Sequence, residues 1–166
     1  QLVTLSDTTD PVFSNLPDNM IAECDEVPAP VTLTATDNCD ADVSVSFVET
    51  RIDGTCEDNY QLERVWTATD NCGNTYSHTQ IIIVSDVTSP VFVTLADVTL
   101  ECGDDLTAPN PVANDNCDTD VHIVLSDEFT SAGSCTDNYT ITRIWTATDN
   151  CGNQSTLTQV VTVQDS

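Results

Sequence analysis

Apolar and polar residues alternate along this chain in short runs that are separated by Asp, Asn and Gly. Such alternation, rich in Val, Ile and Thr, is typical of β-strands that bury one face. No stretch repeats apolar residues at i, i+3, i+4 and i+7 over two helical turns. In the first half, the strand-like runs are residues 31–35, 43–48, 60–69 and 79–84. The pattern predicts an all-β chain.

The same pattern occurs twice, so the chain is a tandem duplication. Four landmarks recur 79 residues later: Trp66 as Trp145, Cys72 as Cys151, Pro11 as Pro90 and Asp7 as Asp86. Cys24 and Cys39 recur 78 residues later, as Cys102 and Cys117, so one residue is lost before Cys102 and regained before Cys135. A repeat of this length with about six or seven short strands fits a small β-sandwich. We therefore expect two tandem Ig-like β-sandwich repeats of 79 residues, arranged end to end.

The ends of the chain repeat as well. Residues 1–7 match residues 80–86, and both match residues 159–165. We interpret residues 1–6 as the last strand of a preceding copy, 7–85 and 86–164 as repeats 1 and 2, and 165–166 as the start of the next linker. The sequence thus predicts a two-repeat piece of a longer array.

The charge of the chain limits the classes of molecule that it can bind. The chain has 28 acidic residues, three arginines and no lysine, which gives a net charge of -25. Nucleic-acid binding needs a basic footprint, so it is excluded, and an anionic membrane surface would repel this chain. The longest apolar run, Ile81–Val84, has the length of a strand and cannot insert into a membrane. The partners that this charge favours are cations.

Each repeat has four cysteines and no Cys-x-x-Cys pair, which favours disulfides over zinc and indicates an oxidising compartment. If residues 31–35 and 60–69 form strands that run the same way, two cysteines follow their upper ends and two precede their lower ends. We therefore expect two disulfides in each repeat, namely Cys39–Cys72 and Cys24–Cys56 in the first, and Cys117–Cys151 and Cys102–Cys135 in the second.

Acidic and amide residues cluster in the loops that this topology places at the N-terminal pole of each repeat. Hard oxygen ligands in a flexible loop suit Ca²⁺, whereas transition metals prefer nitrogen or sulfur. The candidate ligands are Asp7, Asp37, Asp40, Asp42, Asp70 and Asn74 in the first repeat, and Asp86, Asp115, Asp118, Asp120, Asp149 and Asn153 in the second. Because Asp86 ends one repeat and begins the next, a calcium ion there would stiffen the junction. The alternative is that these residues only form turns, with their side chains capping backbone amides.

Arg64 and Arg143 each lie two residues before a tryptophan, on the same face of a strand. Antiparallel pairing of the strands predicts that Glu49 lies near Arg64 and Asp127 near Arg143. One interpretation is an Arg/Trp platform that grips a carbohydrate. The other, which we favour, is an internal ion pair beneath a core tryptophan, because such a strand face normally points into the sandwich. Arg51 has no counterpart and is expected at the surface.

No motif for catalysis repeats in the chain: there is no His beside a nucleophile and no glycine-rich phosphate loop, so we do not expect an enzyme. Weak glycosylation signals occur at Thr8, in an Asp-Thr-Thr sequence, and at Asn138 and Asn153 in Asn-x-Ser/Thr sequences.

The segment Trp-Thr-Ala-Thr-Asp-Asn-Cys-Gly-Asn stands at 66–74 and again at 145–153, each time followed by a strand-like run. It resembles the hyalin-repeat (HYR-like) Ig-fold modules, and in particular the cysteine-containing repeats of large secreted surface proteins of Bacteroidota. The resemblance covers both repeats and implies an extracellular stalk, adhesin or fibre module.

Three functions are therefore open. The first is a calcium-stiffened structural spacer whose partners are neighbouring repeats. The second is a module that itself binds surface glycans or a protein. The third is a filament subunit that assembles by strand addition through residues 1–6.

Overall fold

The structure is a computed structural model that describes residues 1–133 and 137–165. It divides into two compact units, Gln1–Ser85 and Asp86–Ser166, and each is a β-sandwich formed by a four-stranded sheet and a two-stranded ribbon. No helix occurs among the described residues. The predicted all-β, Ig-like sandwich fold is confirmed.

In the first repeat the ribbon pairs β1 with β3, and the sheet has the order β2-β6-β5-β4. Strand β2 runs parallel to β6, and the other pairs in the sheet are antiparallel. The strands are β1 (Val12–Phe13), β2 (Met20–Ala22), β3 (Ala35–Thr36), β4 (Ser44–Asp53), β5 (Tyr60–Thr69) and β6 (Thr75–Val84).

The second repeat has the same topology, with a β7-β9 ribbon and a sheet of order β10-β11-β12-β8. Its strands are β7 (Val91–Phe92), β8 (Val98–Glu101), β9 (Ala113–Asn114), β10 (His122–Ala132), β11 (Tyr139–Thr148) and β12 (Gln154–Gln164). The duplication seen in the sequence is therefore a duplication of topology.

Strand β5 supplies the centre of the first core. Its alternate residues Leu62, Arg64, Trp66 and Ala68 are buried, as expected for a strand that turns one face inward. Trp66 joins an upper apolar cluster with Phe13, Leu33 and Ala68, and Leu62 joins a lower one with Ala22, Ile82 and Val84. The arginine lies between these clusters, so the core consists of two apolar layers and one polar layer.

Each repeat has two poles, which we define by its loops. The N-terminal pole comprises residue 7 with loops 37–43 and 70–74 in the first repeat, and residue 86 with loops 115–121 and 149–153 in the second. The C-terminal pole comprises loops 23–26 and 54–59 in the first repeat, and loops 102–105 and 133–138, apart from 134–136, in the second. The chain enters each repeat at the first pole and leaves at the other, since Ser85 N donates to Ala22 O (3.1 Å) directly after β6.

A β-bulge in β10 distinguishes the two sheets. Pairing is regular through Leu125 and Trp145, then shifts by one residue at Ser126, so that Glu128 rather than Asp127 lies opposite Arg143. This extra residue is the one regained between Cys117 and Cys135. The predicted pairing of Asp127 with Arg143 is wrong, because the sequence offset shows that a residue is inserted but not where the ladder accommodates it.

Candidate functional site

The N-terminal pole of the first repeat is locked by its own carboxylates. Asp37 Oδ1 accepts hydrogen bonds from the backbone N–H groups of Cys39 (2.8 Å) and Asp40 (3.0 Å). Asp40, which is buried, accepts from the N–H of Asp42 with one oxygen and from that of Asn71 with the other (3.0 and 2.8 Å). One carboxylate therefore shapes its own loop and ties it to the loop between β5 and β6.

Asp70 organises that second loop. Its Oδ1 accepts from the N–H groups of Cys72 (2.9 Å) and Asn74 (2.8 Å), and its Oδ2 accepts from the side-chain amide of Asn74 (2.7 Å). Burial acts to raise the pKa of Asp70, but the hydrogen bonds outweigh it and lower the pKa below its ordinary value. Asn74 also donates to Asp7 O (3.3 Å), which holds the incoming chain against the pole.

The second repeat reproduces most of this network. Asp115 Oδ1 accepts from the N–H groups of Cys117 and Asp118, and Asp118 accepts from Asp120 N (2.8 Å) and Asn150 N (2.9 Å). Asp149 Oδ1 accepts from the N–H groups of Cys151 and Asn153, both at 2.9 Å. The expectation that these acidic residues form turns is thus met at both poles.

One hydrogen bond differs between the poles. Asn74 donates its amide to both Asp70 Oδ2 and Asp7 O, whereas the bond found for the Asn153 amide runs to Asp86 O alone (3.3 Å). Asp149 Oδ2 is consequently buried without a hydrogen-bond partner among the described residues, although Asp149 is only 6% exposed. Asp115 Oδ2 and its counterpart in the first repeat, Asp37 Oδ2, are also buried without a hydrogen-bond partner among the described residues, so the poles differ in this respect only at Asp70 and Asp149.

Asp115 and Asp149 belong to a cluster of three carboxylates. One carboxylate oxygen each of Asp86, Asp115 and Asp149 lies within 4.8 Å of the other two, and Asp86 and Asp149 are buried. In the first repeat the corresponding group is Asp7, Asp37 and the sulfur of Cys39. The structure therefore brings three predicted ligands together in the second repeat and two in the first.

The remaining predicted ligands have other roles. Asp40 and Asp118 use both carboxylate oxygens to bind backbone N–H groups, and Asp42 and Asp120 are exposed. Asn74 and Asn153 act through their amides as donors. The sequence pattern could not separate these roles, since every one of these residues stands in an Asp/Asn-rich turn.

The cysteines of the described residues differ in chemical state. Cys24, Cys56, Cys117 and Cys151 are disulfide-bonded, whereas Cys39 and Cys72 carry free thiols. The predicted disulfide Cys39–Cys72 is therefore not formed. Cys102 Sγ donates to Asp137 O (3.2 Å), and its predicted partner Cys135 lies outside the described residues, so the prediction of Cys102–Cys135 stays open.

Carboxylates and side-chain amides surround the free thiols of Cys39 and Cys72. Desolvation and the nearby carboxylates of Asp7 and Asp37 raise the pKa of the Cys39 thiol. Its sulfur accepts from the Asn38 amide (3.2 Å), and the Cys72 thiol donates to Asn71 Oδ1 (3.4 Å). The protonated thiol is therefore the favoured form of Cys39.

The arginines form internal ion pairs. Arg64 Nε donates to Glu49 Oε2 (2.6 Å) and Arg143 Nε to Glu128 Oε2 (2.7 Å), and each arginine also donates to a backbone carbonyl, Pro28 O or Leu106 O respectively. Arg64 is 3% exposed and Trp66 2%. A platform that is buried to this extent cannot grip a carbohydrate, so the structure supports the internal ion pair.

The sequence analysis did not identify the buried glutamine that accompanies the buried arginine in each repeat. Gln80 lies opposite Arg64 in the ladder and donates to Asp18 O (2.7 Å), and its counterpart Gln159 donates to Ala96 O (2.9 Å). Both glutamines are buried. The signal that could have revealed them is a polar residue at an inward position of an otherwise apolar strand in both repeats.

The other predicted surface sites are placed as follows. Arg51 is half-exposed, pairs with Asp53 (2.7 Å) and lies over the ring of Tyr60. Thr8 is exposed. Asn138 accepts from Asp165 N (3.2 Å), and the amide of Asn153 is used in the hydrogen bond to Asp86 O.

Residues 91–163 match the family model described as an HYR-like domain with four cysteines. Among curated proteins, none is similar enough to count as a match. No helix among the described residues has the length and apolar character needed to cross a membrane.

Matches among solved structures include cadherin fragments. Drosophila N-cadherin EC1-4 is 12% identical, with a TM-score of 0.41 and coverage of 95% of this chain and 50% of that one. The chain thus spans half the length of that fragment. Human protocadherin-24 EC1-2 is 12% identical with a TM-score of 0.40, covering 96% and 100%. Human mucin-like protocadherin EC1-2 is 15% identical with a TM-score of 0.37, covering 93% and 99%.

Proposed function

We propose that this chain is a structural repeat module of an extracellular cell-surface stalk, adhesin or fibre, and that Ca²⁺ stiffens the place where one repeat follows another. The observation that carries the calcium is the cluster of Asp86, Asp115 and Asp149 in the second repeat. The match of residues 91–163 to an HYR-like domain supports the repeat function.

The cluster fits a cation on electrostatic grounds. Two like charges 4 Å apart repel by about 4 kcal/mol at an effective dielectric constant of about 20, and three carboxylates make three such pairs. The Asp149 oxygen without a hydrogen-bond partner among the described residues adds a desolvation cost. A cation among the three carboxylates would remove both costs.

The ligand atoms of the cluster indicate which cation it would bind. All three side chains of the cluster offer carboxylate oxygens, which hard cations prefer. Ca²⁺ accepts irregular loop geometry and six to eight oxygens, whereas Mg²⁺ requires a near-ideal octahedron. Extracellular modules bind Ca²⁺ with dissociation constants of about 0.1 to 1 mM, so weak sites would fill outside the cell.

The place of Asp86 in the chain connects the ion to stiffness. Asp86 is the first residue of the second unit, while Asp115 and Asp149 belong to loops of that unit. An ion bound to all three would restrain the first residue of the repeat against its own pole. Less of the connecting segment would then be free to bend.

An extracellular location is supported by the cysteines. Four are disulfide-bonded, and disulfides persist in oxidising compartments. The net charge of -25 suits a surface that stays solvated and attracts cations. With catalytic motifs absent from the sequence, a non-catalytic module of the kind that large secreted Bacteroidota proteins carry is the most economical assignment.

Thermal unfolding in 5 mM Ca²⁺ and in excess chelator tests the calcium site. A site with a dissociation constant near 0.1 mM adds about 2 kcal/mol at that concentration, because the ion binds only the folded state. We expect the melting temperature of the second repeat to rise by several degrees and Asp149→Asn to abolish the rise. Asp70→Asn, the matched change in the first repeat, should leave the rise intact. Superimposed curves for the wild type would refute calcium binding.

Strand addition is a second candidate, favoured by exposed apolar side chains near the start of the chain. Leu2 and Leu5 are 95% and 93% exposed, and the first strand begins only at Val12. The segment 1–6 matches residues 80–85, in which Ile82 and Val84 are fully buried within a sheet. Light scattering of the purified chain separates the candidates: polymers that disappear on removal of residues 1–6 support the filament, and a monomer supports the spacer.

A further inference from the structure

The N-terminal pole of the first repeat holds two free thiols beside its carboxylates. Cys39 and Cys72 are both thiols, and both are exposed. The loops that carry them are joined by the hydrogen bond from Asn71 N to Asp40 Oδ2 (2.8 Å). The pole therefore presents two sulfurs on neighbouring loops of one repeat.

One of these sulfurs belongs to a compact group of atoms that can bind a metal. The sulfur of Cys39, one carboxylate oxygen of Asp7 and one of Asp37 all lie within 4.8 Å of one another. Zn²⁺ binds sulfur at about 2.3 Å and carboxylate oxygen at about 2.0 to 2.2 Å, with its ligands at the corners of a tetrahedron. Such bonds place the ligand atoms about 3.5 Å apart, so small side-chain rotations would bring the three atoms onto one ion.

The backbone fixes the carboxylate of Asp37 in this group. Its Oδ1 accepts hydrogen bonds from the N–H groups of Cys39 (2.8 Å) and Asp40 (3.0 Å). Its Oδ2 is buried and has no hydrogen-bond partner among the described residues. A buried carboxylate oxygen without a partner carries a desolvation cost that a cation removes. The unsatisfied oxygen therefore favours a cation independently of how close the three side chains lie.

The surroundings of Cys39 suit a metal-bound sulfur. Desolvation and neighbouring negative groups, among them Asp7, Asp37 and Cys72, raise the pKa of the thiol. A divalent cation reverses this effect, because its charge stabilises the thiolate and is attracted by the same carboxylates. The Asn38 amide donates a hydrogen bond to the sulfur (3.2 Å), and hydrogen bonds of this kind orient metal ligands.

We propose that the N-terminal pole of the first repeat binds Zn²⁺ through Asp7, Asp37 and Cys39. The fourth ligand is the sulfur of Cys72 on the adjoining loop, which exchanges its hydrogen bond to Asn71 Oδ1 (3.4 Å) for the metal. Zn²⁺ binds sulfur together with carboxylate oxygen, whereas Ca²⁺ binds oxygen. Each thiol releases its proton to the solvent when its sulfur binds the ion, so the affinity rises with pH.

Sequence spacing does not reveal such a site. The ligands come from the entering chain and from two loops, so no Cys-x-x-Cys pair marks them. In the second repeat the counterparts of the two sulfurs, Cys117 and Cys151, are disulfide-bonded and are not available as thiolates. The zinc site therefore belongs to the first repeat alone, and it does not rest on calcium binding in the second.

Titration of the whole chain with Co²⁺ tests the site, because cobalt bound to a thiolate gives an ultraviolet charge-transfer band that carboxylate-bound cobalt lacks. Oxygen and reductant are both excluded, so that thiols and disulfides keep their states. We expect the band to saturate at one ion per chain and to disappear when Zn²⁺ is added, since zinc binds such ligands more tightly than cobalt. Excess Ca²⁺ should leave the band unchanged. A titration without a charge-transfer band would overturn the proposal.

Replacement of the sulfurs assigns the band to residues. The double variant Cys39→Ser, Cys72→Ser removes both thiols and should abolish the band. Cys102→Ser, which changes a cysteine at the C-terminal pole of the second repeat, is the control and should leave the band intact. A band that survives the double change would overturn the proposal, provided that the melting temperature without metal shows a folded chain.

Replacement of a carboxylate tests the oxygen ligand. Asp37→Asn keeps an oxygen for the backbone N–H groups but replaces the unsatisfied oxygen by an amide. We expect cobalt binding to weaken by about tenfold or more, since the loss of even an outer-shell partner has an effect of that size. Asp115→Asn is the matched change in the second repeat and should leave the cobalt affinity unchanged. Equal affinities for wild type and Asp37→Asn would show that Asp37 is not a ligand and would overturn the assignment.

Discussion

The N-terminal poles of the two repeats place the same residue types at the same positions, yet they group them differently. In the first repeat Asn74 satisfies Asp70 Oδ2, and the cluster at the pole is two carboxylates and a thiol. In the second repeat Asp149 Oδ2 has no hydrogen-bond partner among the described residues, and three carboxylates converge. One side-chain amide therefore satisfies Asp70 in the first repeat and leaves Asp149 unsatisfied in the second, whereas Asp37 Oδ2 and its counterpart Asp115 Oδ2 are alike in having no hydrogen-bond partner among the described residues.

The comparison shows that a repeated motif need not repeat its function. Both poles use aspartates as turn formers, with hydrogen-bond distances that agree within about 0.2 Å. The two poles differ in the state of the cysteines as well, since those of the first repeat are thiols and those of the second are bonded. Local sequence sets the turns, and the surroundings of each pole set what the turns can bind.

The largest expected effect is the loss of stability when the buried tryptophan that both repeats share is removed. Trp66→Ala and Trp145→Ala each remove a tryptophan that is at most 3% exposed, which should destabilise the repeat that carries it by about 3 to 5 kcal/mol. Denaturant unfolding checks this value. Costs that differ by more than about 2 kcal/mol would show that the two cores are less alike than their topology implies.

The next effect tests the bulge that separates the two sheets. Glu128→Ala leaves the buried guanidinium of Arg143 with a carbonyl as its remaining partner and should cost about 1 to 3 kcal/mol. The neighbouring change Asp127→Ala should stay within about 0.5 kcal/mol, because Asp127 is exposed and lies opposite Ile144. Equal costs for the two variants in denaturant unfolding would contradict the shifted register.

A smaller effect is the acid sensitivity of the first pole. The folded pKa of Asp70 is lowered, so its ionised form stabilises the fold above the unfolded value of about 3.9. That stabilisation is lost as the pH falls through the lower, folded pKa. The difference in melting temperature between wild type and Asp70→Asn should therefore be constant near neutral pH and shrink below about pH 4. A difference that grows on acidification would show that the pKa shift has the opposite sign.

The fold could be predicted from the sequence because it follows from the alternation of apolar and polar residues and from the duplication of one repeat. Strand β5 was predicted at residues 60–69, where it is found, and the inward face with its ion pair followed from it. The predicted run 31–35 is a strand only at its last residue, because β3 consists of Ala35 and Thr36. At the start of this run the backbone bonds to a side chain instead: the carbonyl oxygen of Val31 accepts a hydrogen bond from the indole N–H of Trp66 (3.1 Å).

The site was less predictable because it depends on details that sequence spacing does not carry. Asp40 and Asp42 look alike in an Asp-x-Asp motif, yet one is buried between two loops and the other is exposed. The cysteine pairs were inferred from the topology of a single repeat. Of these pairs, Cys39–Cys72 is contradicted by the free thiols of both residues.

The most direct test of the difference between the poles is a calorimetric titration of the chain with Ca²⁺. Because three carboxylates converge only in the second repeat among the described residues, we predict one ion bound per chain and none in Asp149→Asn. Two equivalent ions per chain would show that the first pole binds calcium as well as the second. The absence of any binding heat, with unchanged melting in calcium, would contradict the cation site altogether.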